Sequence, residues 1–159
     1  MTTNKIRGFE VVKMKHFKGI ASFFEDIQLP TRADVGSAGY DFYSVEDARI
    51  EVGGQHTFWT NIKAYMQQDE VLQIYPRSSI GVKLGLVLAN TVGIIDSTYY
   101  SNQDNDGNIG IVLKNMGTDP VIINAGDRIA QGVFMKYLVA DEDNTMSTER
   151  IGGFGSSGK

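Results

Sequence analysis

Residues 70–100 read EVLQIYPRSSIGVKLGLVLANTVGIIDSTYY. The stretch opens on a β-branched and aromatic run and breaks at Pro76. It resumes as an apolar run from Ile80 to Ala89, breaks at Asn90-Thr91, and resumes as VGIID. Short Val/Ile/Leu/Tyr runs set off by turn formers predict strands. The run IGVKLGLVLA fits either a buried strand or one short helix, because periodicity does not separate the two over so short a length.

The same stretch carries candidate chemistry. Arg77, Ser78 and Ser79 follow Pro76, which presets the backbone. An Arg fork and hydroxyls can clamp a phosphate, and they also make an ordinary polar turn with a surface ion pair. Asp96 follows Ile94-Ile95, so it is either a turn residue or a carboxylate held at a strand end to orient or deprotonate water. Tyr99 packs a flat ring on a ligand or on the core. Asn90 offers a donor and an acceptor together, which suits the edge of a uracil-like ring or a self-satisfied turn. A phosphate clamp joined by strand-like sequence to a candidate general base points to hydrolysis of a phosphate ester or anhydride.

Outward from this stretch the pattern repeats. FEVVKM, RIEV, HTFWTNIKAYM, GNIGIVLKN, PVIINA and RIAQGVFMKYLVA are further strand-like runs, and helix signals are weak. The whole reads as an all-β sandwich or barrel. QQDE between HTFWTNIKAYM and EVLQIYP predicts a hairpin turn, and INAGDR predicts a Gly-Asp turn. Residues 101–110, SNQDNDGNIG, hold Asp106-Gly107 and read as an exposed hairpin tip.

Composition narrows the function. The 159 residues suit one domain with a real core. A net charge of −4 disfavours a grip on nucleic acid, which needs clustered Lys and Arg. The best basic patch, Lys13 to Lys18, reads as a solvated segment. The chain has no Cys, so disulfides and thiolate chemistry are excluded, in keeping with a cytoplasmic location. There is no apolar signal core and no apolar run long enough for a membrane. The two His, His16 and His56, lie far from the motifs and read as surface or packing residues.

Two glycine-rich segments remain. GSAGYD, residues 36–41, permits close backbone approach and equally makes a tight turn into a strand. GFGSSGK, residues 153–159, has the spacing of part of a phosphate-binding loop but lacks the preceding strand and following helix. Glycine amides and Ser hydroxyls there can still wrap a polyphosphate, and Phe154 can stack on a base. The expected organisation is a barrel domain over residues 1–149 and a mobile tail over 150–159 that closes over a site.

Taken in order, SAGYD at 37–41, PRSS at 76–79, NTVGIIDSTY at 90–99, GDRIAQ at 126–131 and GGFGSSG at 152–158 resemble the five motifs of the trimeric dUTP pyrophosphatase (dUTPase) family. The segment YYSNQDNDGNIG is similar to the longer loop of phage and Gram-positive relatives. The resemblance implies a jelly-roll-type β-barrel forming a homotrimer, with active sites at subunit interfaces. It implies hydrolysis of dUTP to dUMP and pyrophosphate with Mg²⁺ across the triphosphate. That reaction keeps uracil out of DNA and supplies dUMP for dTMP synthesis.

By the same resemblance, Asp96 activates the water that attacks the α-phosphorus, and Tyr99 packs under the deoxyribose. Asn90 reads the uracil edge with backbone near Ile94, Ile95 and Gly110. Arg77, Ser78 and Ser79 hold phosphates. Asp41 and Gln131 hold Mg²⁺ through water, and Gln131 also lines the substrate site. Phe154 caps uracil, with Gly155, Ser156 and Ser157 beside it on the phosphates. Many relatives place an Arg five residues before that Phe. Glu149 stands there in this chain, so the role passes to Arg150. Loop 101–107, with Asp104 and Asp106, is either a protein-binding loop of a regulatory relative or a solubilising tip. A dCTP deaminase of the same barrel needs a Glu three residues before Asn115, where this chain has Val112. A third alternative, a binding module without chemistry, separates from the enzyme on loss of turnover in Asp96→Asn.

Overall fold

Alternation of apolar and polar residues sets the strand faces, most cleanly on four of the twelve strands of the computed structural model, which describes residues 4–143. In chain order these are β1 (Gly8–Val11), β2 (Thr31–Arg32), β3 (Tyr40–Tyr43), β4 (Ala48–Ile50), β5 (Gln55–Trp59) and β6 (Ile62–Tyr65). There follow β7 (Glu70–Tyr75), β8 (Leu86–Leu88), β9 (Gly93–Asp96), β10 (Gly110–Asn115), β11 (Val121–Ile123) and β12 (Arg128–Lys136). In β10, Ile111 and Leu113 point inward between half-buried Val112 and Lys114. The sequence expectation of an all-β protein holds, with only short helical turns among the described residues.

The strands pair in four sheets, ordered β1-β6, β5-β10-β8, β11-β4 and β2-β3-β12-β7-β9. All strand pairings among the described residues are antiparallel. Every sheet sends side chains into one core: Phe42, Leu72, Ile74 and Ile129 from the five-stranded sheet meet Phe58, Ile111, Leu113, Leu86, Ile50, Ile123 and Ile62 from the others. This is the jelly-roll-type architecture. Gly132, in the middle of β12, is needed for it. A Cβ there would lie 2.9 Å from the Phe42 ring and 3.0 Å from Leu72, and no real side chain tolerates that approach.

Three expectations need correction. HTFWTNIKAYM is two strands, broken at buried Asn61, whose φ is 59°. Its halves do not form a hairpin with EVLQIY: β5 pairs β10, β6 pairs β1, and β7 pairs β12 and β9. Local turn signals were right about where the chain reverses and silent about which strand lies alongside. IGVKLGLVLA is neither one strand nor one helix but a helical turn, Ser79–Lys83, followed by β8.

The third correction concerns residues 101–107, which are not an exposed tip. Asn102, Asp106 and Gly107 are buried, as are Asn108 and Ile109 beyond them. Asp106 accepts hydrogen bonds from the Lys13 amide (2.8 Å) and from Lys63 Nζ (3.0 Å). It is therefore a structural anchor rather than a solubilising or partner-binding acid. Ser101, Gln103 and Asp104 are what the loop leaves exposed.

Candidate active site

Strand β7, between β12 and the edge strand β9, organises the candidate residues. At its C-terminal end Tyr75 pairs with Gln131 of β12, and Gln131 pairs on its other side with Asp41 of β3. Pro76 cannot continue the ladder, so the chain turns there. The turn is a tight one, with Ile80 and Gly81 both donating backbone hydrogen bonds to the Arg77 carbonyl (3.0 Å each). Arg77 is thus folded back over Asp41, and its Nη1 donates to Asp41 Oδ2 at 3.2 Å. Arg128 Nη1, at the start of β12, donates to the same oxygen at 3.4 Å. Gln131 Nε2 donates to the Pro76 carbonyl at 3.3 Å.

Asp41 is only 5% exposed, and a buried carboxylate stands only when paired. The two guanidinium groups supply that pairing and leave a net positive cluster. Asp41, Arg77 and Gln131 line one concavity with Gly39 and Tyr75. Ser78 and Ser79 sit beside it on the exposed turn. Asp34, near its rim, has a carboxyl held below the usual range because the Ser37 hydroxyl and the Gly36 and Ser37 amides bond to it. Arg128 was missed in the sequence reading. The signal was present in GDRIAQ, but an Arg at a strand start is ordinary until its partner is known.

Asp96 lies elsewhere. It is the last residue of β9 and pairs with Val71, near the start of β7. Four residues of antiparallel strand, about 13 Å, separate that register from Tyr75. Within one chain the clamp and the candidate base therefore occupy opposite ends of β7. Asp96 and Ile94 are exposed and Ile95 is buried, following the strand alternation. Asn90 is exposed in the turn before β9, where the Val92 amide donates to its carbonyl (2.7 Å). β8 runs antiparallel to β10 with Ala89 N donating to Val112 O, so Asn90 leaves toward the Gly110 end of β10. Gly110 is half-buried, and the Trp59 indole would meet a Cβ there at 3.0 Å.

Tyr99 ends the helical turn after Asp96 and is 4% exposed, within the core cluster. Its hydroxyl donates to the Asn108 carbonyl (2.8 Å) and accepts from Asn105 Nδ2 (2.7 Å). Arg150, Phe154, Gly155, Ser156 and Ser157 lie outside the described residues. His56 is half-buried, with its ring on Phe58 (centroids 4.6 Å apart) and Nε2 3.0 Å from Glu46. His16 is half-buried in the N-terminal segment.

An all-β jelly roll in which Arg77 and Arg128 close on buried Asp41 defines the class: an antiparallel β-sandwich or barrel protein. Residues 25–158 match the dUTPase family model. The chain is 46% identical over 155 residues to the deoxyuridine 5'-triphosphate nucleotidohydrolase of Lactococcus lactis subsp. lactis, spanning 97% of this chain and 99% of that one. It is similar to the crystal structure of dUTPase from Streptococcus mutans at 42% identity and a TM-score of 0.73, over 84% of this chain and 98% of that one. A dUTPase from phage phi11 of S. aureus, described with a structural Mg(II) ion, shares the fold at 20% identity and a TM-score of 0.69, over 92% and 100% of the two chains. The chain belongs to the dUTPase family. Its activity is that of a dUTP diphosphatase, a hydrolase of nucleotide metabolism.

Proposed function

We propose that the chain hydrolyses dUTP to dUMP and pyrophosphate at sites assembled between three copies, using Asp96 to activate the attacking water. The observation that carries this reading is the division of β7. Arg77, Asp41 and Gln131 stand at one end and Asp96 at the other, so one phosphate chain meets both sets only where a second copy brings its Asp96 alongside. This supports a homotrimer with shared sites.

In each site Arg77, Ser78 and Ser79 bind the phosphates. Asn90 and the backbone at Ile94, Ile95 and Gly110 read the uracil edge, and Tyr99 stands against the deoxyribose. Asp96 accepts a proton from water as the water oxygen bonds to the α-phosphorus. The α–β bridging P–O bond breaks, and its electron pair leaves with pyrophosphate. Arg77 neutralises charge that grows on that leaving group. The tail residues Arg150, Phe154, Gly155, Ser156 and Ser157 close over the nucleotide.

The donor set near the phosphates is one carboxylate and one amide among arginines. Among the described residues no group of three or more His, Cys, Asp or Glu side chains forms a cage. Such a set would suit a hard Mg²⁺ brought by the substrate, which Asp41 and Gln131 would hold through water. When bound, the ion adds charge neutralisation on the phosphate oxygens. No helix among the described residues is long and apolar enough to cross a membrane. We place the enzyme in the cytoplasm, where a chain without Cys is at no disadvantage.

Asp96→Asn keeps the size and polarity of the side chain and removes its basicity. Pyrophosphate release from dUTP is expected to fall by ~10²–10⁴-fold while dUTP binding persists. Undiminished turnover would remove Asp96 from this role. The wild type, offered dUTP, dTTP, dCTP and UTP with Mg²⁺, is expected to release pyrophosphate from dUTP above all.

A further inference from the structure

The loop that reads in sequence as an exposed tip is instead wrapped around Tyr99. Asn105 Nδ2 donates to the Tyr99 hydroxyl (2.7 Å), and that hydroxyl donates to the Asn108 carbonyl (2.8 Å). Asn102 Nδ2 donates to the Tyr99 carbonyl (2.8 Å) and to Asn105 Oδ1 (2.8 Å). Asn105 Oδ1 also accepts from the Gly107 amide (3.0 Å), and Asn102 Oδ1 accepts from the amides of Asp104 and Asn105 (3.0 Å each). Gly107 has φ 85°, and a Cβ on it would lie 2.8 Å from the Tyr99 carbonyl, so the loop can close this tightly only with glycine there. The ring and both polar ends of one residue are thus held by a single short segment.

We propose that Asn105 is a positioning residue for Tyr99: its amide and the Asn108 carbonyl pin the phenol hydroxyl from two sides, making the ring a wall that cannot retreat from a ribose bearing a 2′-hydroxyl. The inference rests on the reading of Tyr99 as the surface against the deoxyribose. Rejecting a substrate that merely adds a hydroxyl is hard for a compliant apolar wall, which yields and gives only modest discrimination. A wall discriminates by clash only if moving it is costly. Here, moving the ring breaks one buried and one part-buried hydrogen bond, and leaves the Asn105 amide and the Asn108 carbonyl only the longer contact between themselves, 3.3 Å. Asn105 need not touch the substrate, so its effect runs through Tyr99.

The test is the ratio of kcat/KM for dUTP to that for UTP, measured with melting temperature on the intact protein. Asn105→Ala, which removes the bond to the Tyr99 hydroxyl together with the Asn105 contacts to Asn102, Gly107 and Asn108, is expected to lower the ratio about tenfold. Tyr99→Phe, which deletes that bond and the one to the Asn108 carbonyl, is expected to lower it similarly. The double variant is expected to lower the ratio by less than the product of the two single effects, because the Asn105–Tyr99 bond is lost in both. Asn105→Asp keeps the acceptor for Asn102 and Gly107 but replaces the donor to the phenol with an acceptor, so the one hydroxyl proton can serve the new carboxylate or the Asn108 carbonyl but not both. It is expected to lower the ratio while leaving the loop folded, and it serves if Asn105→Ala does not fold. An unchanged ratio with a reduced melting temperature would make Asn105 merely structural, as would additive losses in the double variant. Tyr99→Ala separates the two levels: if its ratio matches the wild type, the placement of the ring against the sugar fails, whatever Asn105 does.

Discussion

Lys63 and Asp106 have side chains 6% and 3% exposed and lie 3.0 Å apart. Burial pushes the Asp106 carboxyl up, but the Lys13 amide and the Lys63 ammonium outweigh it and hold the group below the usual carboxylate range. Lys63 Nζ also donates to Ser101 Oγ (3.2 Å), so one ammonium ties both ends of the 101–106 turn to β6. Removing only the cation leaves a buried carboxylate poorly compensated. Lys63→Met is expected to cost about 3 kcal/mol in urea denaturation at fixed protein concentration. The double variant Lys63→Met/Asp106→Asn is expected to recover much of that loss. Equal losses in the two would mean that the ion pair is not the anchor.

At the scale of elements, the N-terminal segment and the 101–108 loop are one assembly. Asn61 Nδ2 donates to the Lys18 carbonyl (2.8 Å) and Asn61 Oδ1 accepts from the Lys18 amide (2.9 Å). Asn108 Nδ2 donates to Asn61 Oδ1 (3.1 Å), and Asp106 takes the Lys13 amide. At the start of β7, Arg7 donates to Glu70 and holds its carboxyl below the usual range despite burial. For both acids the folded form binds protons less readily than the unfolded chain. Their stabilisation is therefore complete above the unfolded carboxylate range and is lost as pH falls through the folded values. Melting temperature is expected to drop between about pH 5 and 3, and Glu70→Gln is expected to flatten that slope. A slope unchanged in Glu70→Gln would assign the acid sensitivity to other groups.

These elements also mark how far the sequence could be read. Strand-forming runs such as EVLQIY and GIVLKN were legible because alternation is local. The partners of β5, β6 and β7 were not, because pairing joins residues far apart in the chain. The polar composition of SNQDNDGNIG argued for solvent, and in sequence a buried Asn network looks the same as a solvated one. What turned it inward was Lys63, some forty positions away, whose ammonium has no signature of burial. The site residues Asp41, Arg77 and Gln131 were legible by motif, and their meeting was not. Arg128, the second guanidinium on Asp41, became visible only with the β3–β12 register.

For the whole molecule, the two ends of β7 make a clean experiment. A mixture of Arg77→Ala and Asp96→Asn chains, each inactive alone, is expected to recover part of the wild-type rate after unfolding and refolding together. Some sites then combine an intact Arg77 from one copy with an intact Asp96 from another. Absence of recovery, with mixed assemblies demonstrated by mass, would confine each site to a single chain.

A strand does not stretch. With Tyr75 and Val71 fixed four residues apart on β7, no thermal breathing of an isolated chain brings its own Arg77 and Asp96 together. If Arg77 and Asp96 play the roles proposed for them, a lone folded chain leaves dUTP intact, and turnover begins only when copies meet.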